Sequence, residues 1–213
     1  NVLVNDHVYG NLAIAIVNTN GNGTVLLSMN GRTERYDLSK GDGSYEGYNI
    51  TNGVLYVTFD TLYGPGNYSM AVVYEGDDFY EYALNQTNFT VFKKNTTITA
   101  NSTNISFWDV EEINVTVDAN ASGYIKIKIG ANQEYVEIIE NGVARFKIPN
   151  LFPGDYRDVE VLYNGDPYFN GNSTYVNFTV GPSSNYTMNV TAPDSTYGQN
   201  ATVYVYVPSL AQG

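Results

Sequence analysis

The chain states one pattern twice and begins it a third time. Leu62-Tyr63-Gly64-Pro65-Gly66-Asn67-Tyr68 is followed by Tyr74-Glu75-Gly76-Asp77-Asp78-Phe79-Tyr80 and then by Asn88-Phe89-Thr90-Val91. About 89 residues later come Leu151-Phe152-Pro153-Gly154-Asp155-Tyr156, Tyr163-Asn164-Gly165-Asp166-Pro167-Tyr168-Phe169 and Asn177-Phe178-Thr179-Val180. Tyr197-Gly198-Gln199-Asn200, leading into Ala201-Thr202-Val203, echoes Tyr9-Gly10-Asn11 leading into Leu12-Ala13-Ile14. A period this long with strand-like contents marks an array of small domains. In 213 residues it predicts two domains, 1–92 and 93–181, and the truncated start of a third repeat at 182–213.

Aligning the copies gives an order of strands. Leading strands fall at Val2 to Val4, Thr96 to Ala100 and Tyr186 to Val190. The next carry Leu12, Ile14 and Ile16 in copy one, with Ala13 and Ala15 alternating, and Ile113, Val115 and Val117 in copy two. In copy three Ala201, Val203, Val205 and Val207 share one parity, with Thr202, Tyr204 and Tyr206 on the other. Alternation of period two turns one face to a core and one to water. Val25, Leu27 and Met29 match Ile125, Ile127 and Ile129, with Lys126 and Lys128 interleaved toward solvent. Strands around Glu34 to Leu38 and Glu134 to Ile138 follow. Copy one then carries about 11 extra residues around Ser39 to Tyr48, a loop or small hairpin. Asn52-Gly53 and Asn141-Gly142 are tight-turn signals ahead of Leu55, Val57, Phe59 and Ala144, Phe146, Ile148.

About seven short strands per copy, with no helical periodicity, predict an all-β chain of tandem immunoglobulin-like β-sandwiches. Tyr68 and Tyr156 stand where such sandwiches place a tyrosine corner, the hydroxyl bonding back to the backbone. After Tyr68 the apolar residues Met70, Val72 and Tyr74 hold one parity, whereas after Tyr156 the set Val159, Val161 and Tyr163 has switched. One extra residue predicts a β-bulge near Arg157 or Asp158, in the second domain only. The linkers, Phe92 to Asn95 and Gly181 to Tyr186, leave little slack. The chain starts just before one strand pattern and stops early in another, as a fragment of a longer protein does. A lone strand at Ala201 to Val207 is expected either to pair with a neighbouring domain or chain, or to be poorly ordered.

Tyr-Gly-Gln-Asn before a strand, then Leu-x-Pro-Gly-x-Tyr, Tyr-x-Gly-Asp-x-Tyr and Phe-Thr-Val, resembles the bacterial Ig-like repeats of group 3 type. The richness in Asn, Tyr and Thr is similar to that of adhesin-like cell-surface proteins of methanogenic archaea. The resemblance implies an extracellular, cell-surface stalk or adhesion array, with neighbouring Ig-like repeats as partners. Copy two departs at Trp108-Asp109, where copies one and three read Tyr-Gly, so its junction is expected to differ.

The net charge of −12, spread along the chain, repels nucleic acid and anionic membranes, and no segment here inserts into a bilayer. The absence of cysteine excludes disulfides and thiolate metal sites. Fifteen Asn-x-Ser/Thr acceptors are candidates for glycosylation: Asn22, Asn49, Asn67, Asn85, Asn88, Asn95, Asn101, Asn104, Asn114, Asn120, Asn172, Asn177, Asn185, Asn189 and Asn200. Glu75, Asp77, Asp78 and Asp166 sit in turns that could ligate calcium, although turn formation explains the same residues. The sole histidine, His7, reads as a solvated turn residue, and no nucleophile or spaced carboxylate pair is in evidence, so no catalytic residue and no cofactor are assigned. With six lysines and Lys126 and Lys128 facing out, an intramolecular isopeptide bond is not expected. Outward tyrosines such as Tyr204 and Tyr206 either cover sheet edges or stack on sugar rings. The expected function is therefore a non-catalytic structural and adhesive stalk, its partner a surface glycan or protein of another cell or substrate. The competing reading is a carbohydrate-binding module region.

Overall fold

The computed structural model describes residues 1–60, 63–130, 133–184 and 186–209. Leu62 of the repeated motif and the acceptor Asn185 lie outside them. The chain folds as tandem immunoglobulin-like β-sandwiches, with no α-helix among the described residues.

The first sandwich contains β1 (Val2–Val4), β2 (His7–Val8), β3 (Leu12–Asn18), β4 (Thr24–Met29), β5 (Arg32–Asp37), β6 (Gly43–Tyr45), β7 (Tyr48–Thr51), β8 (Val54–Asp60), β9 (Gly66–Tyr74) and β10 (Ala83–Phe92). One sheet runs β1-β3-β8-β7-β6, the other β2-β10-β9-β4-β5. The second sandwich contains β11 (Ile98–Asn101), β12 (Ile105–Ser106), β13 (Glu111–Val117), β14 (Tyr124–Ile129), β15 (Gln133–Ile138), β16 (Val143–Ile148), β17 (Gly154–Gly165) and β18 (Asn170–Gly181). Its sheets run β11-β13-β16 and β12-β18-β17-β14-β15.

The count exceeds seven because the leading strand divides between sheets. β1 pairs antiparallel with β3, and after Asn5-Asp6 the chain crosses so that β2 pairs parallel with β10. Asp6 holds the crossing: its Oδ1 accepts the Thr90 N–H at 2.6 Å, as Asn104 Oδ1 accepts the Thr179 N–H at 2.8 Å in the second sandwich. The stretch peculiar to copy one forms the β6–β7 hairpin, which widens its sheet. Tyr45 stacks on Tyr48 there at 4.8 Å.

Each core is closed by the alternating residues of both sheets. In the second sandwich Ile113, Val115, Ile125, Ile127, Phe146, Val161 and Tyr163 are buried together. Each such side chain contributes about 1.5–3 kcal/mol on burial. In the first, Val25, Leu27, Leu55, Val57, Met70, Val72 and Tyr74 play that part. β3 corrects one expectation: Ala13, Ala15 and Val17 enter the core, while Leu12 and Ile14 are exposed and Ile16 is half-buried. Both faces of this strand are apolar, so alternation alone does not orient it.

The predicted bulge is present. β17 and β18 shift register between Tyr156 and Val159, and Asp158 takes a φ of 52° with its N–H donating to Asn177 Oδ1 at 2.7 Å. β9 and β10 pair without a break from Tyr68 to Tyr74. Two further expectations are corrected. His7 belongs to β2, half-buried, its ring stacked on Phe89 at 5.7 Å rather than solvated in a turn. The strand of copy three pairs with its own leading strand: β19 (Asn189–Thr191) and β20 (Tyr204–Tyr206) form a two-stranded sheet, exposed on both faces. Local pairing satisfies the backbone more cheaply than reaching another domain.

Candidate functional site

The residues repeated most faithfully build the two ends of each sandwich, and one such pair of ends meets between the sandwiches. In Tyr74-Glu75-Gly76-Asp77 the glycine adopts a φ of 91°, turning the chain so that the aspartate faces back across it. Asp77 Oδ1 accepts the N–H groups of Phe79 and Tyr80, both at 2.8 Å. Its Oδ2 accepts the Tyr74 hydroxyl at 2.6 Å and the Asn22 N–H at 3.0 Å. Asp166 repeats this on the second sandwich: Oδ1 accepts the N–H groups of Tyr168 at 2.8 Å and Phe169 at 2.7 Å, and Oδ2 accepts the Ser122 N–H and hydroxyl, both at 2.8 Å. Each aspartate thereby ties the β9–β10 or β17–β18 turn to the loop before β4 or β14.

The electrostatics follow. The Tyr74 hydroxyl, helped by the backbone donors, holds the Asp77 carboxyl down to about 2. At Asp166 burial pushes the carboxyl up, but the bonds from Ser122, Tyr168 and Phe169 outweigh it and the net direction is down. Burial, with the Asp166 charge nearby, lifts Tyr163 to about 12. Four donors on each carboxylate occupy the lone pairs a cation would need. Glu75 is paired with Arg35 at 2.8 Å, and no group of three or more acidic or imidazole side chains that could hold a metal occurs among the described residues. Asp78 has an exposed place beside Asp77.

At the opposite end stand the two tyrosines of the Leu-x-Pro-Gly-x-Tyr segments. Tyr68 Oη donates to the Gly64 carbonyl at 2.5 Å, and Tyr156 Oη to the Phe152 carbonyl at 2.9 Å, each four residues back. Both rings stack inward, Tyr156 on Phe178 at 4.8 Å and Tyr68 on Phe89 at 5.7 Å. Removing only the hydroxyl, by Tyr156→Phe, is expected to cost the second sandwich about 1 kcal/mol in chemical denaturation, with the slope of the transition unchanged.

Between the sandwiches these two ends interlock. Tyr168, from the Asp166 turn, packs on Tyr9 at 4.9 Å between ring centroids and lies over Gly64, where a Cβ would come within 3.1 Å of its ring. The linker is bonded along its length. Lys93 Nζ donates to the Asp166 carbonyl at 2.6 Å, the Lys94 N–H to the Tyr168 carbonyl at 2.9 Å and the Asn170 N–H to the Lys94 carbonyl at 2.8 Å. Thr96, buried, donates its hydroxyl to the Asn170 carbonyl at 2.6 Å, and Asn172 Nδ2 donates to the Thr96 carbonyl at 2.7 Å. Lys94 also pairs with Asp118 at 3.3 Å. The short linker is expected from its length to leave little slack, but none of these bonds is legible in the sequence.

The far end of the second sandwich differs. By their bonds to the closing strands, Phe107 stands where Tyr9 does and Trp108 where Gly10 does. The alignment of Trp108-Asp109 with Tyr-Gly is thus corrected by one residue. Trp108 holds a φ of 81°, next to 84° at Gly10 and 88° at Gly198. Its ring lies 4.3 Å from that of Phe107, which stacks on Phe152 at 6.0 Å, and Trp108 and Phe152 are exposed. Three residues on, Glu111 is 0% exposed, with Oε1 accepting the Thr103 N–H at 3.2 Å and Oε2 unpartnered. Burial pushes its carboxyl above the ordinary range, against the pull of the Thr103 N–H. The folded state holds this proton more tightly than the unfolded chain, so the residue costs stability as pH rises past the ordinary glutamate value. Glu111→Gln is expected to raise stability at pH 7 by about 1–2 kcal/mol, with the gain vanishing near pH 4, in thermal melts across that range.

Of the acceptor asparagines, all except Asn185 are described and exposed. Asn172 alone among them is recorded donating its amide nitrogen, to Thr96, so a glycan there would break the linker contact. Tyr204 and Tyr206 are exposed on β20.

No protein-family model matches the chain, and no curated protein matches it in sequence. Among solved structures it is similar to the ICAM-5 D1-D4 ectodomain fragment, at 14% identity over 96% of this chain and 60% of that one, with a TM-score of 0.47. It is similar also to the titin domains z1z2 in complex with telethonin, at 12% identity over 85% and 94% of the two chains and a TM-score of 0.39. A marsupial T cell receptor matches at 11% identity over 91% and 77%, with a TM-score of 0.33. Likeness at this level carries no argument about activity or partner; the immunoglobulin-like description rests on the strand order itself.

Proposed function

We propose that this chain is a structural and adhesive stalk region of a large cell-surface protein, built from tandem Ig-like repeats of bacterial group 3 type as in adhesin-like proteins of methanogenic archaea. On this reading the domains are 1–92 and 93–181, with a third repeat beginning at 182. The observation that carries it is the bonded linker: Lys93, Lys94 and Thr96 are all fastened to the second sandwich, and Tyr168 seats on the first. A junction without slack suits a rod that holds something away from a surface. Exposed Asn-x-Ser/Thr acceptors and a net charge of −12 fit an extracellular position with several acceptors glycosylated. Its chemistry is conformational and adhesive rather than catalytic.

Small-angle scattering tests the stalk. A strand of 12 residues is about 40 Å long, so two sandwiches end to end give a rod of roughly 80 Å and a radius of gyration of about 23 Å or more. A compact globule of this length would give about 17 Å, and that result would sink the proposal.

A second reading is favoured by the exposed Trp108 and Phe152 rings, which flank the half-buried Phe107 as an aromatic patch of the kind that stacks on sugars. A glycan array probed with the chain and with Trp108→Ala decides it: binding that the substitution abolishes would make the region a carbohydrate-binding module.

A further inference from the structure

The two sandwiches differ at one place where their sequences agree. In the second, Lys93 to Thr96 lie along the turn between β17 and β18, with Lys94 bridging Phe169 in parallel. Lys94 Nζ sits 5.7 Å over the Phe169 ring, and Phe169 is only 4% exposed. In the first sandwich the matching surface is an open groove of about 500 Å³, whose walls include Asn18, Tyr74, Tyr80, Glu81 and Ala83. Tyr80 stands where Phe169 does, at the same distance from its clamp aspartate, and is 47% exposed. The Phe79 carbonyl and Glu81 N–H match the Tyr168 carbonyl and Asn170 N–H that bond Lys94. Among the described residues neither has a hydrogen-bond partner.

We propose that this groove is a seat for an extended segment of interdomain-linker chemistry, two lysines followed by asparagine and threonine, lying parallel beside Tyr80 and Glu81. The first lysine reaches the Asp77 carbonyl, as Lys93 reaches that of Asp166. The second exchanges two backbone bonds with Phe79 and Glu81 and lays its ammonium over the Tyr80 ring, a cation–π contact, with Asn18 in the place of Asp118. The threonine is buried under β10 as Thr96 is under β18. Backbone pairing of this kind adds a strand to an open edge, and the flanking side chains set which sequence is taken. The seat rests on the array reading only for the source of its occupant, the linker of a like repeat; its own geometry is independent of it.

Register is set by the pairs Val2 with Val17 and Ile98 with Val117, which put Asn1 in the place of Thr97. The test is therefore the full chain with Lys-Lys-Asn-Thr joined to Asn1, against the same chain with Gly-Ser-Gly-Ser. Amide hydrogen exchange at Glu81 is expected to slow tenfold or more with the first extension and to stay unchanged with the second. The melting transition of the first sandwich should rise by several degrees. Tyr80→Ser in the extended chain should abolish most of that protection. Equal exchange at Glu81 in the two extended chains would overturn the proposal, and equal protection by Gly-Ser-Gly-Ser would overturn its chemistry. A compact scattering envelope for the unextended chain would refute the stalk while leaving the Glu81 result as it stands.

Discussion

Asp166→Ala lowers the melting temperature of the second sandwich by about ten degrees and leaves that of the first nearly in place. The carboxylate accepts four bonds, from Ser122, Tyr168 and Phe169, and its loss frees three backbone N–H groups at once. Two of them flank the ring that seats on the first sandwich. The cost is about 2–3 kcal/mol, which for a domain of this size is a shift of that order. Asp166→Asn keeps one acceptor oxygen and should lose about half as much. Differential scanning calorimetry of both variants checks this; a shift under two degrees for alanine would mean that the turn holds without its clamp. The same carboxylates set the acid limit. Asp77 is held at about 2 and Asp166 below its ordinary value, so both stabilise the fold at neutral pH. That contribution is complete above the unfolded carboxylate range and is lost as pH falls from about 4 toward 2. The alanine variant should therefore differ least from the parent near pH 2.

Gly64→Phe is expected to open the junction without unfolding either sandwich. Tyr168 lies so close to Gly64 that even a Cβ must push against its ring, and that ring also packs on Tyr9. The contact is worth about 1 kcal/mol, so its loss shifts the closed-to-open ratio by roughly fivefold. Residual dipolar couplings, which report the relative orientation of the sandwiches, should fall out of a common alignment frame, and Tyr168→Ala should do the same. A single unchanged frame in both variants would show that the linker bonds alone fix the orientation. The far end of the second sandwich carries this substitution naturally, since Phe152 stands at the Gly64 place by its bond from Tyr156. A tyrosine cannot seat there as Tyr168 does.

What the sequence discloses and what it hides divide along physical lines. The bulge at Asp158 was legible because burial fixes parity, and a changed parity between Tyr156 and Val159 demands an extra residue. The face of β3 was not, because Leu12, Ile14 and Ile16 look as apolar as the alanines and valine beneath them. The Tyr-x-Gly-Asp turns were legible as turns through glycine and aspartate. Their work as clamps was hidden, since the partners Asn22 and Ser122 lie 55 and 44 residues away, and the donor common to both is a backbone N–H, with the Ser122 hydroxyl added only in the second sandwich. The division of the leading strand was hidden for a similar reason: two residues of β2, paired with β10, leave no periodicity to read. The linker seat depends on carbonyls and amides, which every residue has.

The parallel pairing of first and last strands bears on how such a chain carries load. β2 lies beside β10 and β12 beside β18, each pair running the same way along its sandwich. A pull applied to the two ends of a sandwich drags these neighbours in opposite directions along their shared axis. Their bonds, and those of Lys94 and Thr96 to the Asp166 hairpin, are then strained together rather than peeled singly, so the shortest strands in each sandwich stand as its mechanical lock.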